Sequence, residues 1–180
     1  MPRLRPQTDD AALAALAARA GAMLLAARWH VALAESCTGG WVAKCLTDVP
    51  GSSQWFERGI VSYSNQSKEQ VLGVAPEVIE TFGAVSRPTA EQMAAGALHS
   101  SGAELALAIT GVAGPDGGTP TKPVGLVWFA LAVRSGTASA LEQRFDGDRE
   151  AIRRSAVATG LELIIAAIQD AAAGSAPLQP

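Results

Sequence analysis

The stretch HVALAESCTGGWVAKCLTD, residues 30–48, decides the fold that we expect for this chain. Its first part is a short apolar run typical of a buried strand, and its last part is a helical pattern that begins at two glycines. Between them stands ESCTGG, residues 35–40, which holds more small polar and nucleophilic residues than a plain turn needs. Strand, tight turn and helix in this order form a unit of α/β proteins. The turn is therefore the first candidate for a functional site.

The rest of the chain continues the mixture of strands and helices. We predict further strands at residues 57–65, 104–110, 124–133 and 139–145, the last two as a hairpin, and helices at residues 8–28, 67–74, 76–82, 88–101 and 148–172. Continuous apolar strands predict a sheet of about five strands that helices cover on both faces. We expect one domain over residues 8–172, with flexible termini at 1–7 and 173–180.

Composition and charge exclude several classes of protein. The chain has 180 residues, of which 48% are hydrophobic and 17% charged, and this argues against a disordered chain. A net charge of -3 gives no broad basic surface for nucleic acid. No run approaches the roughly 20 apolar residues that a membrane span needs, so we expect a soluble cytoplasmic protein. Cys37 and Cys45 match no metal-ligand spacing, and we interpret both as free thiols in a reducing compartment.

Ser36 is the first candidate nucleophile, and a serine hydroxyl needs a base within hydrogen-bond reach. Of the two histidines, His30 would lie about 20 Å away along an extended strand at roughly 3.3 Å per residue. His99 is expected on the surface of a helix. A Ser/His/Asp triad is therefore disfavoured, and a lysine becomes the remaining common base.

Three lysines are available, and Lys68 is the best placed of them. Lys44 is expected to face solvent and Lys122 lies in a long loop, whereas Lys68 follows a strand that could lie beside the first one. Desolvation there would lower the pKa of the amine and make it a base. The alternatives are that Lys68 is simply a solvated helix residue, or that Cys37 is the nucleophile. Side chains alternate along a strand, so only one of Ser36 and Cys37 should face the pocket.

Two glycine-rich segments suggest a pocket for an anionic group. Free amides at Thr38, Gly39 and Gly40 could bind an oxyanion or a phosphate, although a simple turn would use the same residues. The loop at residues 110–125 holds five glycines and three prolines, a costly segment to order unless it surrounds a ligand. Its Asp116 is one carboxylate without neighbours, so we assign no metal.

Arginines at the start of the last predicted helix are a further candidate for anion binding. Arg149, Arg153 and Arg154 stand where a cation opposes the helix dipole, so one of them could be held there for an anionic ligand. Solvated arginines are the commoner alternative.

Long ordered motifs together resemble one protein family. These are AESCTGGWVAKCLTDVPGSS, WFERGIVSYSNQSKEQVLGV, GAVS, AITGVAGPDGGTPTKPVGLVWFAL and FDGDREAIRRSAV. They closely resemble the C-terminal domain of the competence/damage-inducible protein CinA, and within that family the stand-alone nicotinamide-nucleotide amidohydrolases (PncC). The resemblance extends over about residues 10–170.

The resemblance implies an α/β fold of three layers, α/β/α, with a mixed, mostly parallel sheet, usually in a homodimer. It also implies hydrolysis of nicotinamide mononucleotide to nicotinate mononucleotide and ammonia, in pyridine nucleotide recycling, without a metal or cofactor. The family's catalytic serine and lysine fall on Ser36 and Lys68. Its other motif residues fall on Tyr63, Asn65, Thr110, Gly111 and Arg149.

A rival function remains open at the level of sequence. Family members without measurable deamidase activity exist, so the chain could instead be a non-catalytic nucleotide-sensing or partner-binding module linked to competence and DNA damage. Such a module would use the glycine-rich loops to bind phosphate and would not need a neutral Lys68. Neither function involves nucleic acid or a membrane.

Overall fold

A computed structural model describes residues 8–134, 136 and 138–174. The strands are β1 (Val31–Glu35), β2 (Phe56–Val61), β3 (Leu105–Gly111), β4 (Leu126–Val133) and β5 (Ser139–Arg144). The helices are α1 (Asp10–Ala27), α2 (Trp41–Thr47), α3 (Asn65–Leu72), α4 (Pro76–Phe82), α5 (Arg87–His99) and α6 (Arg149–Ala172), with a 3-10 turn at Ser52–Gln54. Of the predicted flexible termini at 1–7 and 173–180, residues 1–7 and 175–180 lie outside the described residues.

The strands form a single mixed sheet in the order β2-β1-β3-β4-β5. β1 pairs in parallel with both β2 and β3, whereas β4 lies antiparallel between β3 and β5. Four of the five strands therefore run in the same direction, and the predicted hairpin of the last two strands is present. The expected α/β fold with a mixed, mostly parallel sheet is confirmed.

The two faces of the sheet differ in the size of their side chains. Successive residues of a strand point to opposite faces, and in β1, β3 and β4 one face carries large residues while the other carries mainly alanines, with Trp128 of β4 packed against them. The large residues pack against α1, α2 and α6 and include Val31, Leu33, Leu105, Leu107, Ile109, Phe129 and Leu131. The alanines pack against α5 and its neighbours and comprise Ala32, Ala34, Ala106, Ala108, Ala130 and Ala132. Small side chains let α5 approach the strands closely, and helices cover both faces.

Helix α1 is long and apolar enough, by length and composition, to cross a membrane. In the fold, a stripe of its residues packs with α6 in the core. The stripe comprises Leu13, Ala17, Ala20, Gly21 and Leu24. Packing within the domain therefore accounts for this stripe, whereas most of the other residues of α1 are exposed.

Caps explain where the observed elements differ from the predicted ones. The second strand was expected over residues 57–65, but β2 ends at Val61. The chain leaves the strand before residue 65 because Ser64 caps α3: its side chain accepts a hydrogen bond of 3.1 Å from the Ser67 amide. Helix α3 therefore begins at Asn65 and ends at Leu72, and the next residue, Gly73, has a left-handed conformation that suits a glycine. One consequence is that Tyr63 lies in the short connection between β2 and α3, beside the site described below.

Candidate active site

The candidate site lies at the carboxyl ends of β1 and β3, where parallel strands of an open sheet usually bind ligands. Glu35, the last residue of β1, is paired with Ile109 of β3. The next residue, Ser36, donates its amide hydrogen to the Ile109 carbonyl at 2.9 Å, so the sheet fixes its backbone. Ser36 and Thr110 border the same cavity of about 290 Å³, as the sequence predicted for these two strand ends.

Lys68 and Ser36 are in contact. Lys68 Nζ donates to Ser36 Oγ at 3.1 Å and to the Ser62 carbonyl at 2.8 Å. The Ser62 amide in turn donates to the Glu35 carbonyl at 2.8 Å, which continues the β1–β2 pairing. The lysine is therefore held against the serine by the sheet itself, across 32 residues of sequence.

Burial changes the acid–base chemistry of Lys68. Its side chain is only 1% exposed, and within the described ranges no carboxylate lies within ion-pairing distance of it. Desolvation disfavours the charged ammonium and lowers the pKa of Lys68. A thiolate at Cys37 would oppose this shift, but that thiol stays protonated at neutral pH. Lys68 is thus suited to act as a proton acceptor.

Cys37 is less suited to be the nucleophile than Ser36. Burial raises the pKa of the Cys37 thiol to about 12, and the thiolate is the reactive form of cysteine. Its side chain belongs to the core between the sheet and α6, although Cys37 also borders the cavity. Both Cys37 and Cys45 are free and buried.

Arg149 and Tyr63 form a bridge at the mouth of the cavity. Arg149 Nη1 donates to the Gly114 carbonyl at 2.6 Å, and its Nη2 donates to Tyr63 Oη at 2.8 Å. The arginine thus connects the start of α6 with both the glycine-rich loop and the β2–α3 connection. Tyr63 is 59% exposed and borders the Ser36 cavity.

The remaining predicted site residues divide between two cavities. Asn65, Thr110 and Gly111 border the Ser36 cavity, and Asp116 borders it as well. Gly39 and Gly40 instead border a neighbouring cavity of about 690 Å³. Thr38, predicted together with these glycines to bind an anion, is fully buried.

The amides of the turn after Ser36 are only partly free. Gly39 donates its amide hydrogen to the Ser36 carbonyl at 3.0 Å, and Gly40 donates its own to Glu35 Oε2 at 3.1 Å. In the described part of the chain, the amides of Cys37 and Thr38 donate to no other residue. Of these two residues, Cys37 borders the Ser36 cavity whereas Thr38 is fully buried, so the Cys37 amide is the candidate donor to a ligand there.

Comparison with known proteins decides the family. The sequence-family model of the CinA C-terminal domain matches residues 13–168 of this chain. The chain belongs to the CinA C-terminal domain family. This CinA domain is 50% identical over 155 residues to the nicotinamide-nucleotide amidohydrolase PncC of Escherichia coli (strain K12), covering 86% of this chain and 94% of that protein. It is 49% identical over 147 residues to the protein of the same name from Enterobacter agglomerans, covering 82% and 90%.

Solved structures of CinA proteins have the same fold. The competence/damage inducible protein CihA from Agrobacterium tumefaciens superposes with a TM-score of 0.84 at 47% identity, over 87% of this chain and 95% of that one. A CinA superfamily protein from Klebsiella pneumoniae gives a TM-score of 0.84 at 35% identity, over 87% and 98%. The mixed sheet with helices on both faces is therefore the fold of CinA domains.

Two further residues of this CinA domain hold the turn after Ser36: Glu35, which was given no role from the sequence, and Arg153, which was predicted only as a candidate for anion binding. The buried carboxylate of Glu35 accepts hydrogen bonds from the amides of Gly40, Val42 and Ala43 at 3.1, 3.2 and 2.8 Å, and so caps α2 from the strand that precedes it. Arg153 donates to two carbonyls of the turn, those of Cys37 at 3.0 Å and of Thr38 at 2.9 Å. The only sequence signal for Arg153 was its unfavourable place at a helix start.

Proposed function

We propose that this chain hydrolyses the carboxamide of nicotinamide mononucleotide to nicotinate mononucleotide and ammonia, with Ser36 as nucleophile and Lys68 as base. Its class is amidohydrolase, since relatives named nicotinamide-nucleotide amidohydrolase are about half identical to it over most of both chains. The observation that carries the dyad is the 3.1 Å contact between Lys68 Nζ and Ser36 Oγ, with the lysine buried away from any carboxylate of the described chain.

The first half of the reaction forms an acyl-enzyme. Neutral Lys68 accepts the Ser36 proton as Oγ attacks the carboxamide carbon, giving a tetrahedral oxyanion. The Cys37 amide, which has no acceptor within the described residues and belongs to a residue that borders the cavity, stabilises this oxyanion. The C–N bond then breaks, and the nitrogen leaves as ammonia after it takes the proton from Lys68, either directly or through the hydroxyl of Tyr63, which passes one proton on as it receives the other. The product of this half is nicotinate mononucleotide esterified to Ser36.

The second half regenerates the enzyme. Lys68, neutral again, accepts a proton from water while the water oxygen attacks the ester carbonyl. The bond to Ser36 Oγ breaks, and the serine regains its proton from Lys68. The carboxylate product leaves the cavity. No redox or metal step is needed for the atoms to balance.

The cavity walls supply the binding groups. Arg149 and the loop from Thr110 would bind the phosphate and ribose, together with Asn65 at the start of α3. Arginine suits this role because its guanidinium can donate two hydrogen bonds to one phosphate. We expect the protein to act in the cytoplasm as a homodimer, with a small nucleotide as its ligand and without a cofactor.

The test is an ammonia-release assay with nicotinamide mononucleotide. Ser36→Ala should lower the rate by at least about 10⁴-fold, as loss of a nucleophile does, and Lys68→Ala by about 10²- to 10⁴-fold, as loss of a general base does. Lys44→Ala is the matched control, because Lys44 is exposed and paired with Asp48. Full activity in Ser36→Ala would exclude the covalent mechanism. Tight binding of the nucleotide by calorimetry, without turnover, would favour the sensing module.

A further inference from the structure

We propose that Asp116 selects carboxamides whose ring carries a positive charge, because its carboxylate borders the Ser36 cavity. The substrate class would then be pyridinium carboxamides, such as oxidised nicotinamide mononucleotide, rather than the reduced form with its uncharged ring. The inference rests on the proposed function of this cavity, and it concerns which carboxamides bind there.

The charged groups around the Ser36 cavity are few and of both signs. Among the described residues that border it, Asp116 is the one carboxylate, and Lys68 and Arg149 are the basic residues. Burial lowers the pKa of Lys68 and favours its neutral amine, so the permanent charges are one negative carboxylate and one positive guanidinium. A ligand that complements this pattern carries a positive group as well as a negative one.

Nicotinamide mononucleotide carries both of these charges. Its phosphate is an anion, and its ring is a cation because the ring nitrogen bears the ribose. The carboxamide is meta to this nitrogen, so a carboxamide carbon that contacts Ser36 Oγ brings the positive ring into the cavity that Asp116 borders. The attraction between the ring and a carboxylate grows as the bound ligand excludes water from between them.

The loop is held in place on both sides of Asp116. Arg149 Nη1 donates to the Gly114 carbonyl at 2.6 Å. A Cβ added to Gly114 would lie 2.6 Å from Val124 Cγ1, and one added to Gly118 would lie 3.0 Å from the Val124 amide nitrogen, so both glycines pack closely on Val124. Asp116 therefore stands in the middle of a short arc whose two ends are fixed beside the cavity.

The carboxylate of Asp116 is available to a cationic ligand. Its residue is exposed, and in the described part of the chain it forms no ion pair. Arg149, which borders the same cavity, donates instead to the Gly114 carbonyl and to the Tyr63 hydroxyl. The negative and the positive group thus remain separate, one for the ring and the other for the phosphate.

A carboxylate can also accept hydrogen bonds from the hydroxyls of a ribose, and one probe separates the two roles. Reduced nicotinamide mononucleotide keeps the phosphate, the ribose and the carboxamide, but its ring is uncharged. Loss of a carboxylate that faces the ring weakens binding of the oxidised form alone. Loss of a carboxylate that binds the ribose weakens binding of both forms.

The experiment measures Kd for the oxidised and the reduced nucleotide by calorimetry, in a Ser36→Ala background that prevents turnover. The parent should bind the oxidised form more tightly. We expect Asp116→Asn to raise Kd for the oxidised form about 5- to 10-fold and for the reduced form less than about twofold, as loss of one ion pair partly covered by the ligand does. Asp116→Glu should retain the preference.

Glu150→Gln is the matched control for the change in net charge. Glu150 follows Arg149 in the chain, but its carboxylate borders the neighbouring cavity and pairs with Arg154. This variant should leave both Kd values near those of the parent. Urea midpoints confirm that each variant is folded, and Asp116→Ser gives the same comparison if Asp116→Asn does not fold.

Several results would overturn the inference. An equal rise of both Kd values in Asp116→Asn would show that the carboxylate binds the ribose. An unchanged preference for the oxidised form would assign the discrimination to another group, such as the Tyr63 ring. An equal effect in Glu150→Gln would assign it to the general field of the protein. In all of these cases the wild-type protein still releases ammonia, whereas absence of ammonia release would refute the proposed function itself.

Discussion

Glu35 should stabilise the protein through the turn that carries Ser36. Its carboxylate is 1% exposed and accepts three amide hydrogens, two at Oε2 and one at Oε1. Glu35→Gln keeps the shape of the side chain but has one acceptor oxygen. That oxygen can replace Oε2, and the new NH₂ group then faces the Ala43 amide, so two donors oppose each other.

The structure sets the size of the effect. One hydrogen bond to a charged acceptor is lost, and such bonds contribute about 1.5 to 3 kcal/mol each. We therefore expect Glu35→Gln to lower the free energy of unfolding by about 2 to 3 kcal/mol. Glu35→Ala would leave three amide donors unpaired, so we expect it to lower the free energy of unfolding by more than Glu35→Gln does. That loss would be a large share of the roughly 5 to 15 kcal/mol that is the whole free energy of unfolding of a typical domain.

Urea unfolding followed by far-UV circular dichroism measures this difference. The matched control is Asp48→Asn, the same carboxylate-to-amide change at the other end of α2. Asp48 is exposed and pairs only with Lys44, so this variant should lie within about 0.5 kcal/mol of wild type. Equal unfolding midpoints for Glu35→Gln and wild type would show that the buried carboxylate does not cap α2.

Three other changes test further parts of the structure. Burial lowers the pKa of Lys68 below its ordinary value of 10.5, so kcat/KM should rise with pH through the lowered pKa. Between the pKa of the folded chain and that of the unfolded chain, the unfolded chain binds more protons, so the free energy of unfolding should also rise with pH in that range. The urea midpoints of Lys68→Met should lack this rise. Gly96→Ala would place a Cβ 1.8 Å from the Leu72 carbonyl oxygen and should lower stability by about 1 to 3 kcal/mol, whereas Gly102→Ala meets nothing within 4 Å and should leave the melting temperature near wild type. Cys37→Ala should retain turnover and the wild-type thiol should react slowly with iodoacetamide at pH 8, since its pKa is about 12; loss of turnover would contradict the serine mechanism.

Local patterns were enough to predict most of the fold. The run before Ser36 and the paired glycines after it predicted β1 and the start of α2, and the apolar runs predicted the other strands. The sequence made Lys68 the best-placed candidate base but left a solvated lysine as the alternative, and only the fold shows its contact with Ser36. The sequence also could not show which amides of the turn are already occupied, because that depends on the Ser36 carbonyl and on the buried carboxylate of Glu35.

Local patterns also did not show which distant residues come together in the fold. Tyr63 and Arg149 were separate motif residues in the sequence, and only the fold brings Arg149 Nη2 to 2.8 Å from Tyr63 Oη. Likewise, the alanines of β1, β3 and β4 raised the helical propensity of the sequence, yet they serve to seat α5 on the sheet. Propensity is a weak guide where tertiary packing decides.

The distance in sequence between the partners of the site has a consequence for biosynthesis. While the chain emerges from the ribosome, Ser36 and Lys68 become available early, but the guanidinium groups of Arg149 and Arg153 arrive more than 80 residues later. A nascent chain without α6 has neither the hydrogen bond from Arg149 to Tyr63 nor the hydrogen bonds from Arg153 to the carbonyls of Cys37 and Thr38. Turnover should therefore begin only when the last helix docks, which would make ammonia release a reporter of completed folding.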